Sequence, residues 1–283
     1  MRRTTRSQTR AAAAAQDTEP KDPLNKLSHD ELGVVFDLLA RSSLCPFLAV
    51  ALASTCKGLW TPLRARLVSL QDRYAQKRRL CQYMGMTCAE MREASYLSWY
   101  GDDPDEGSGG QTTRAHKTHP RTIDRRISFR WAMGVLGTIL VENGMPNLTW
   151  LDMGRSGFFN CESAKHIARG LHSGSPIVHL LLDSSAIGDE GASALAAGVR
   201  ASPSLKMASL LACAIGPEGA RALAAALTAR IAEKKQPVYL EIGMNPIGFP
   251  AVALLREADP KNVSFAQDYP TASERFKNAM VRG

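Results

Sequence analysis

The sequence predicts an α/β fold: a short array of strand–turn–helix units preceded by an all-helical region. Three observations carry this. The line "IGDEGASALAAGV", Ile187 to Val199, returns 28 residues later as "IGPEGARALAAAL", Ile215 to Leu227. Just upstream of each copy, apolar residues alternate as they do along a half-buried strand. Residues 23–100 instead carry helix-period stripes opened by capping boxes.

Residues 1–22 are poor in apolar side chains and read as a disordered basic tail, with Arg2, Arg3, Arg6 and Arg10 ahead of the first acid. Ser28 and Glu31 form a capping box, followed by Leu32, Val35, Phe36 and Leu39 on one helical face. Ser42, Ser43 and Pro46 interrupt that helix. Phe47 to Ala53 is apolar almost throughout and reads as a buried helix. A third helix is expected after Pro62, with Leu63, Leu67, Leu70, Tyr74 and Cys81 on one stripe and Lys77 among the charges largely off it. Thr87 and Glu90 form a second capping box, opening a short helix through Met91, Ala94 and Leu97. Residues 101–122, beginning "GDDPDEGSGG", form a linker or surface loop. The second region is residues 123–265. Its first helix, near 128–142, reads as a cap that Gly144 stops. "NVSF" at 262–265 reads as a last, irregular strand, and 266–283 as a tail or cap, with Thr271 and Glu274 as its capping pair.

Four segments align: 148–159, 177–188, 205–216 and 237–248. The frame is apolar at positions one, four, six and eleven, with a small polar residue or thiol at nine. Leu148, Leu151, Met153, Ser156 and Phe158 fill it first, with an extra residue before the helix. Ile177, Leu180, Leu182, Ser185 and Ile187 follow, then Leu205, Ala208, Leu210, Cys213 and Ile215. In the fourth, Leu240, Ile242, Asn245 and Ile247 fit, and Pro237 breaks position one. Positions four and six put one strand face inward. A side chain at nine can bond the backbone where the chain leaves the strand. Gly188 and Gly216 permit a tight turn, and Pro217 pre-sets a helical start. An alanine-rich helical bundle is the competing reading, because "ALAA" favours helix anywhere. The strand text and the recurring Ile-Gly argue against it.

This pattern resembles the leucine-rich repeat of the ribonuclease-inhibitor subtype, over Leu148 to Leu255. The resemblance implies a short solenoid, a right-handed α/β horseshoe whose strands line the concave side. Outward positions there would form a partner-binding face. One row is Trp150, His179, Met207 and Tyr239; the next is Asp152, Leu181, Ser209 and Glu241, with Asp183 beside them. The first row has the composition of interface hot spots, and the acids suit a partly basic ligand. Equally, these side chains can pack on one another or on the N-terminal helices.

Leu27 to Trp60 resembles an F-box. Leu27, Glu31, Leu32, Val35, Phe36 and Leu39 match its first helix, and Ser54, Thr55, Cys56 and Lys57 its later motif. Ser28 replaces the preferred proline, the spacing is a few residues long, and Trp60 falls one place late. The resemblance implies a Skp-type adaptor of a cullin-RING ubiquitin ligase as partner, docked on Leu27, Leu32, Phe36 and Leu39, some of which should then be exposed. The chain would be a substrate receptor whose repeats hold an unknown protein target. The alternative is a repeat scaffold or inhibitor whose N-terminal helices are only a cap.

A net charge of +8 is concentrated in the tail and in a block from Arg114 to Arg130. Without interleaved aromatics these read as solvated charge, and nucleic acid is not expected as a partner. No apolar run reaches a membrane span. The six cysteines form no C-x-x-C pair and read as reduced thiols of a cytoplasmic or nuclear protein. Cys81, Cys88, His116 and His119 fit no compact zinc knuckle. No G-x-S-x-G, H-E-x-x-H or phosphate-binding loop occurs. We therefore assign no catalytic, cofactor-binding or metal-binding residue and expect no enzyme.

Overall fold

The structure is a computed structural model that describes residues 28–40, 47–54, 57–99 and 125–265. The basic tail, Leu27, the 101–122 segment, His116, His119 and residues 266–283 lie outside the described residues, as do Ser42, Ser43 and Pro46.

Capping chemistry sets the first helices. The Ser28 N–H donates to Glu31 Oε2 at 2.8 Å, and the Glu31 N–H donates to Ser28 Oγ at 3.3 Å. That backbone donor holds the Glu31 carboxyl below the usual carboxylate range. This box opens α1 (His29–Ala40), followed by α2 (Phe47–Ser54) and α3 (Lys57–Tyr83). The third helix thus starts five residues before Pro62. The second box is also made, with the Thr87 N–H donating to Glu90 Oε2 at 2.7 Å and the Glu90 N–H to Thr87 Oγ1 at 3.1 Å. It opens α4 (Cys88–Glu93).

Here the structure departs from the periodicity. Leu97 is not on a helix: the backbone turns extended at Ala94, and Tyr96–Ser98 is strand β1. The remaining elements alternate: α5 (Arg125–Val141), β2 (Trp150–Asp152), α6 (Cys161–His172), β3 (His179–Leu181), α7 (Gly188–Ala201), β4 (Met207–Ser209), α8 (Pro217–Ala232), β5 (Tyr239–Glu241), α9 (Phe249–Ala258) and β6 (Val263–Ser264). Among the described residues this is a mixed α/β fold of nine helices and one six-stranded parallel sheet, its strands in chain order. The irregular strand expected at 262–265 is β6.

Strand exits use the ninth position. Asn245 Oδ1 accepts the Cys213 and Ile215 N–H groups at 2.8 and 3.0 Å, while its Nδ2 donates to the Leu210 carbonyl at 2.7 Å. The Cys213 thiol donates to the Leu182 carbonyl at 3.2 Å. Ser156 Oγ accepts the Phe159 N–H at 3.2 Å. The extra residue of the first unit shifts its core contact by one, so that Phe159 is buried and Phe158 only half-buried. At the fourth unit, Val238 enters the core where Pro237 breaks the frame. The two turn glycines differ. Gly188 has φ +65°, which only glycine adopts without strain. Gly216 has φ −93°; it is needed for room, because a Cβ there would stand 2.7 Å from Asp189 Oδ2. That carboxylate reaches across from α7 and accepts the Gly216 and Gly219 N–H groups at 2.7 and 2.8 Å, capping α8 from the neighbouring unit.

Two cores result. The smaller joins Leu32 and Phe36 with Ala49, Ala53, Leu63, Leu67 and Leu70. The larger runs from Leu80 and Cys81 on α3 through β1 and the whole sheet to Leu255 on α9. The third helix therefore belongs to both. Lys77, expected off the stripe, is buried and paired with Glu142 at the end of α5. The helices of the larger core approach closely. A Cβ on Gly137 would sit 2.8 Å from His166 Cβ, one on Gly170 would sit 2.6 Å from Leu140 Cβ, and one on Gly198 would sit 2.9 Å from the Ala168 carbonyl oxygen. Arg230, 1 % exposed, crosses from α8 to the end of α7. Its guanidinium donates to the carbonyls of Val199 and Ser202 and, at 2.8 Å, to that of Gln236. A buried cation is tolerable there because its donors meet the orphan carbonyls at a helix C-terminus. Helix α5 is ended not by Gly144 but by Asn143, at φ 51°, with the Gly144 N–H bonding the Ile139 carbonyl at 2.8 Å.

Candidate functional site

Alternation along each strand decides what the sheet presents. Leu97, Leu151, Leu180, Ala208 and Leu240 turn toward the helices and join the larger core. Their neighbours turn the other way. The parallel register pairs Tyr96 with Trp150, Trp150 with His179, His179 with Met207 and Met207 with Tyr239. The four residues read from the sequence thus form one row, and Tyr96 extends it. Tyr96 escaped the sequence reading because its strand lacks the Ile-Gly turn and is cut from the repeats by the 101–122 segment. The available signal was "YLSW", an aromatic two places before a polar residue, as in "WLD" and "YLE".

The row is packed on itself. The Trp150 and His179 ring centroids are 4.6 Å apart, and those of Tyr96 and Trp150 are 6.2 Å apart. Trp150, Leu181 and Met207 form a buried cluster of their own, with Tyr96 and Tyr239 partly buried against it. The expected contact residues therefore divide. Trp150, Asp152, Leu181, Asp183, Met207 and Ser209 are buried, whereas His179, Tyr239 and Glu241 are half-buried and present accessible edges. Burial, with Lys206 nearby, holds the His179 imidazole below its ordinary pKa.

The second row is tied together by hydrogen bonds. Ser209 Oγ lies 2.6 Å from Asp183 Oδ1 and 3.1 Å from Glu241 Oε2. A hydroxyl has one proton to donate, and the nearer Asp183 is the better-placed acceptor. Asp183 Oδ1 also accepts the Leu211 N–H at 3.0 Å, and Asp152 Oδ1 accepts the Gly154 N–H at 3.1 Å. The three acids read from the sequence thus lie on the strand face, two of them joined through Ser209. Chemically, this face offers aromatic edges, an imidazole and carboxylate oxygens.

The residues expected to dock an adaptor fare differently. Leu32 and Phe36 are 4 % and 0 % exposed and lie inside the smaller core, and Leu39 packs partly against it. Leu32 and Phe36 are therefore not among the exposed members of that set, because α2 and α3 close over that face of α1. Among the described residues, the large apolar side chains exposed on these helices are Val34 and Leu38, one turn apart on α1, with Leu48 on α2 and Val68 on α3.

Cys81, Cys88, Cys161 and Cys213 are free thiols. Burial pushes the Cys213 thiol up to about 12, and burial beside Cys88 raises Cys81 as well. Both are inert structural thiols. Among the described residues no group of His, Cys, Asp and Glu could hold a metal ion, and no helix is long and apolar enough to cross a membrane. Compared with known proteins, the chain matches no family model and no curated protein sequence.

Proposed function

We propose that this chain is a protein–protein interaction module: a short leucine-rich-repeat solenoid whose strand face holds a protein target and whose N-terminal helices act as an F-box-like dock for a Skp-type adaptor. It would be a non-catalytic substrate receptor working in the cytoplasm or nucleus, where free thiols persist. The observation that carries the reading is the strand register. It stacks Tyr96, Trp150, His179, Met207 and Tyr239 in one row on the face without helices. The neighbouring acids suit a target with basic side chains, attracted by carboxylates and by aromatic faces. Val34 and Leu38, exposed on one face of α1, support an adaptor contact, though through other residues than Leu32 and Phe36.

A specific observation favours a second reading. Helix α3 contributes to both cores, and β1 is part of the sheet. The N-terminal helices could then be only the closing cap of a scaffold or inhibitor. The test uses the full chain, because residues 20–100 include parts of the larger core. Purified Skp-type adaptor should bind it with a Kd of about 1 μM or tighter, and Leu38→Glu should abolish binding without lowering the Tm. A folded chain with no measurable affinity for the adaptor removes the receptor reading and leaves the scaffold.

A further inference from the structure

A groove of ≈ 610 Å³ lies on the helical side, remote from the strand face. Its walls are Gln76 on α3, Arg130 to Thr138 on α5, and His166 on α6. It is floored by Val135 and by the bare backbone of Gly134, which faces the His166 ring: a Cβ there would stand 3.6 Å from Nε2. The Thr138 hydroxyl donates to the Gly134 carbonyl at 3.0 Å. That leaves the Thr138 oxygen as an acceptor.

We propose that this groove docks an acidic, partly apolar segment of a partner protein. Three independent observations support that occupant. First, His166 lines the groove, its Nδ1 is buried without a hydrogen-bond partner, and a buried polar atom left unpaired is costly. A turn of the ring would bring that atom, as an N–H, to an incoming carboxylate. Second, the surroundings are cationic. Arg130 lines the groove, the Arg79 guanidinium sits 5.0 Å over the Trp131 ring, and Arg169 lies close enough to oppose protonation of His166. The nearby Glu162 is held by Lys165 at 2.8 Å. Third, Trp131 and Val135 supply an apolar strip beside those charges, and Trp and Arg are the residue types enriched at binding hot spots.

Shape favours a peptide over a small molecule. The groove follows two turns of α5, about 12 Å, which is the span of three or four extended residues. Small-molecule sites enclose most of the ligand, whereas Gln76 and Arg130 are exposed at the rim. The strand face carries Asp152, Asp183 and Glu241 and would repel the same segment. The two faces therefore select partners of opposite charge.

The experiment is panning of displayed heptapeptides on the full chain at low salt, followed by affinity measurement of the enriched sequences. These should carry Asp or Glu beside Leu, Ile or Phe. Arg130→Glu, at an exposed position, should weaken them by about tenfold or more, and Glu241→Gln on the strand face should leave them unchanged. Circular dichroism and Tm establish that both variants fold. Enriched peptides lacking acids, acidic peptides that bind Arg130→Glu equally well, or no enrichment at all would each overturn the proposal. So would displacement of the peptides by adenosine monophosphate, which would make the groove a small-anion site. Concentration-dependent self-association abolished by Arg130→Glu would also overturn it, by making a second copy the occupant.

Discussion

The two cores solve the same burial problem by different means. The smaller closes three helices around leucine, phenylalanine and alanine side chains, and its helices leave Val34, Leu38, Leu48 and Val68 at the surface. The larger cannot close within one unit. Each strand and helix covers the next, and the backbones meet so closely that Gly137, Gly170 and Gly198 leave no room for a methyl group. Close helix approach lets short strands pair continuously, but it makes the larger core intolerant of added volume. The smaller core is vulnerable to lost volume instead.

Phe36→Ala tests the smaller core and should have the largest effect. It should cost about 4 kcal/mol, read as lost hydrogen-exchange protection in α1 and α2, with protection of α6 to α8 retained. Equal loss in both regions would mean that α3 couples them into one cooperative unit. Gly170→Val probes the larger core. The new side chain meets Leu140 head-on, and urea unfolding should show a loss of about 3 kcal/mol. Its counterpart is Gly33→Ala, where the atoms nearest a Cβ are those of the Arg66 guanidinium. That flexible group can swing away from the Gly33 carbonyl and Asp37, and added helix propensity offsets the lost contacts, so the net change should lie within about 1 kcal/mol.

Acid should affect the larger region through its histidines. Burial first, then Arg169 for His166 and Lys206 for His179, lowers both pKa values below the ordinary one. The unfolded chain therefore binds more protons just below neutrality. Stability is complete above the unfolded histidine pKa of about 6.5 and falls as pH drops toward the folded values. Unfolding free energies measured across that window should decline, and the double variant His166→Gln, His179→Gln should flatten the decline. An unchanged slope would assign it to other groups.

The smallest effect is expected at a helix end. Gly174 closes α6 at φ +83°, and Lys234 closes α8 at φ 54° with the same hydrogen-bond pattern. Lys234→Gly should relieve the left-handed strain and raise stability by up to about 1 kcal/mol. No gain would mean that the greater backbone freedom of glycine in the unfolded chain cancels it.

Much of the architecture was legible because it is local. Capping boxes at Ser28 and Thr87 need only four consecutive residues. Strands β2 to β5 follow from alternation, and Ser156, Ser185 and Asn245 at the ninth position each bond backbone of their own turn, although Asn245 and Cys213 also reach the preceding unit. The candidate face was legible for the same reason, since a period of two assigns Trp150, His179, Met207 and Tyr239 to one side. Their exposure was not, because it depends on neighbours across the sheet. The ring of Trp150 lies against His179, and Ser209 lies between two acids from the neighbouring units. The groove at His166 was also invisible, being assembled from three helices whose sequences show no shared motif.

By itself, then, the sequence determined the alternation of short strands and helices, the helix ends set by caps, and the face each strand residue takes. These are properties of neighbouring residues and of backbone periodicity. Only the tertiary structure decided that Tyr96 begins the sheet, that Lys77 is buried against Glu142, that Phe159 replaces Phe158 in the core, that Leu32 and Phe36 are enclosed, and that Asp189 caps the helix of the next unit. Each depends on groups brought together from separate elements, where packing and pairing outweigh the local pattern.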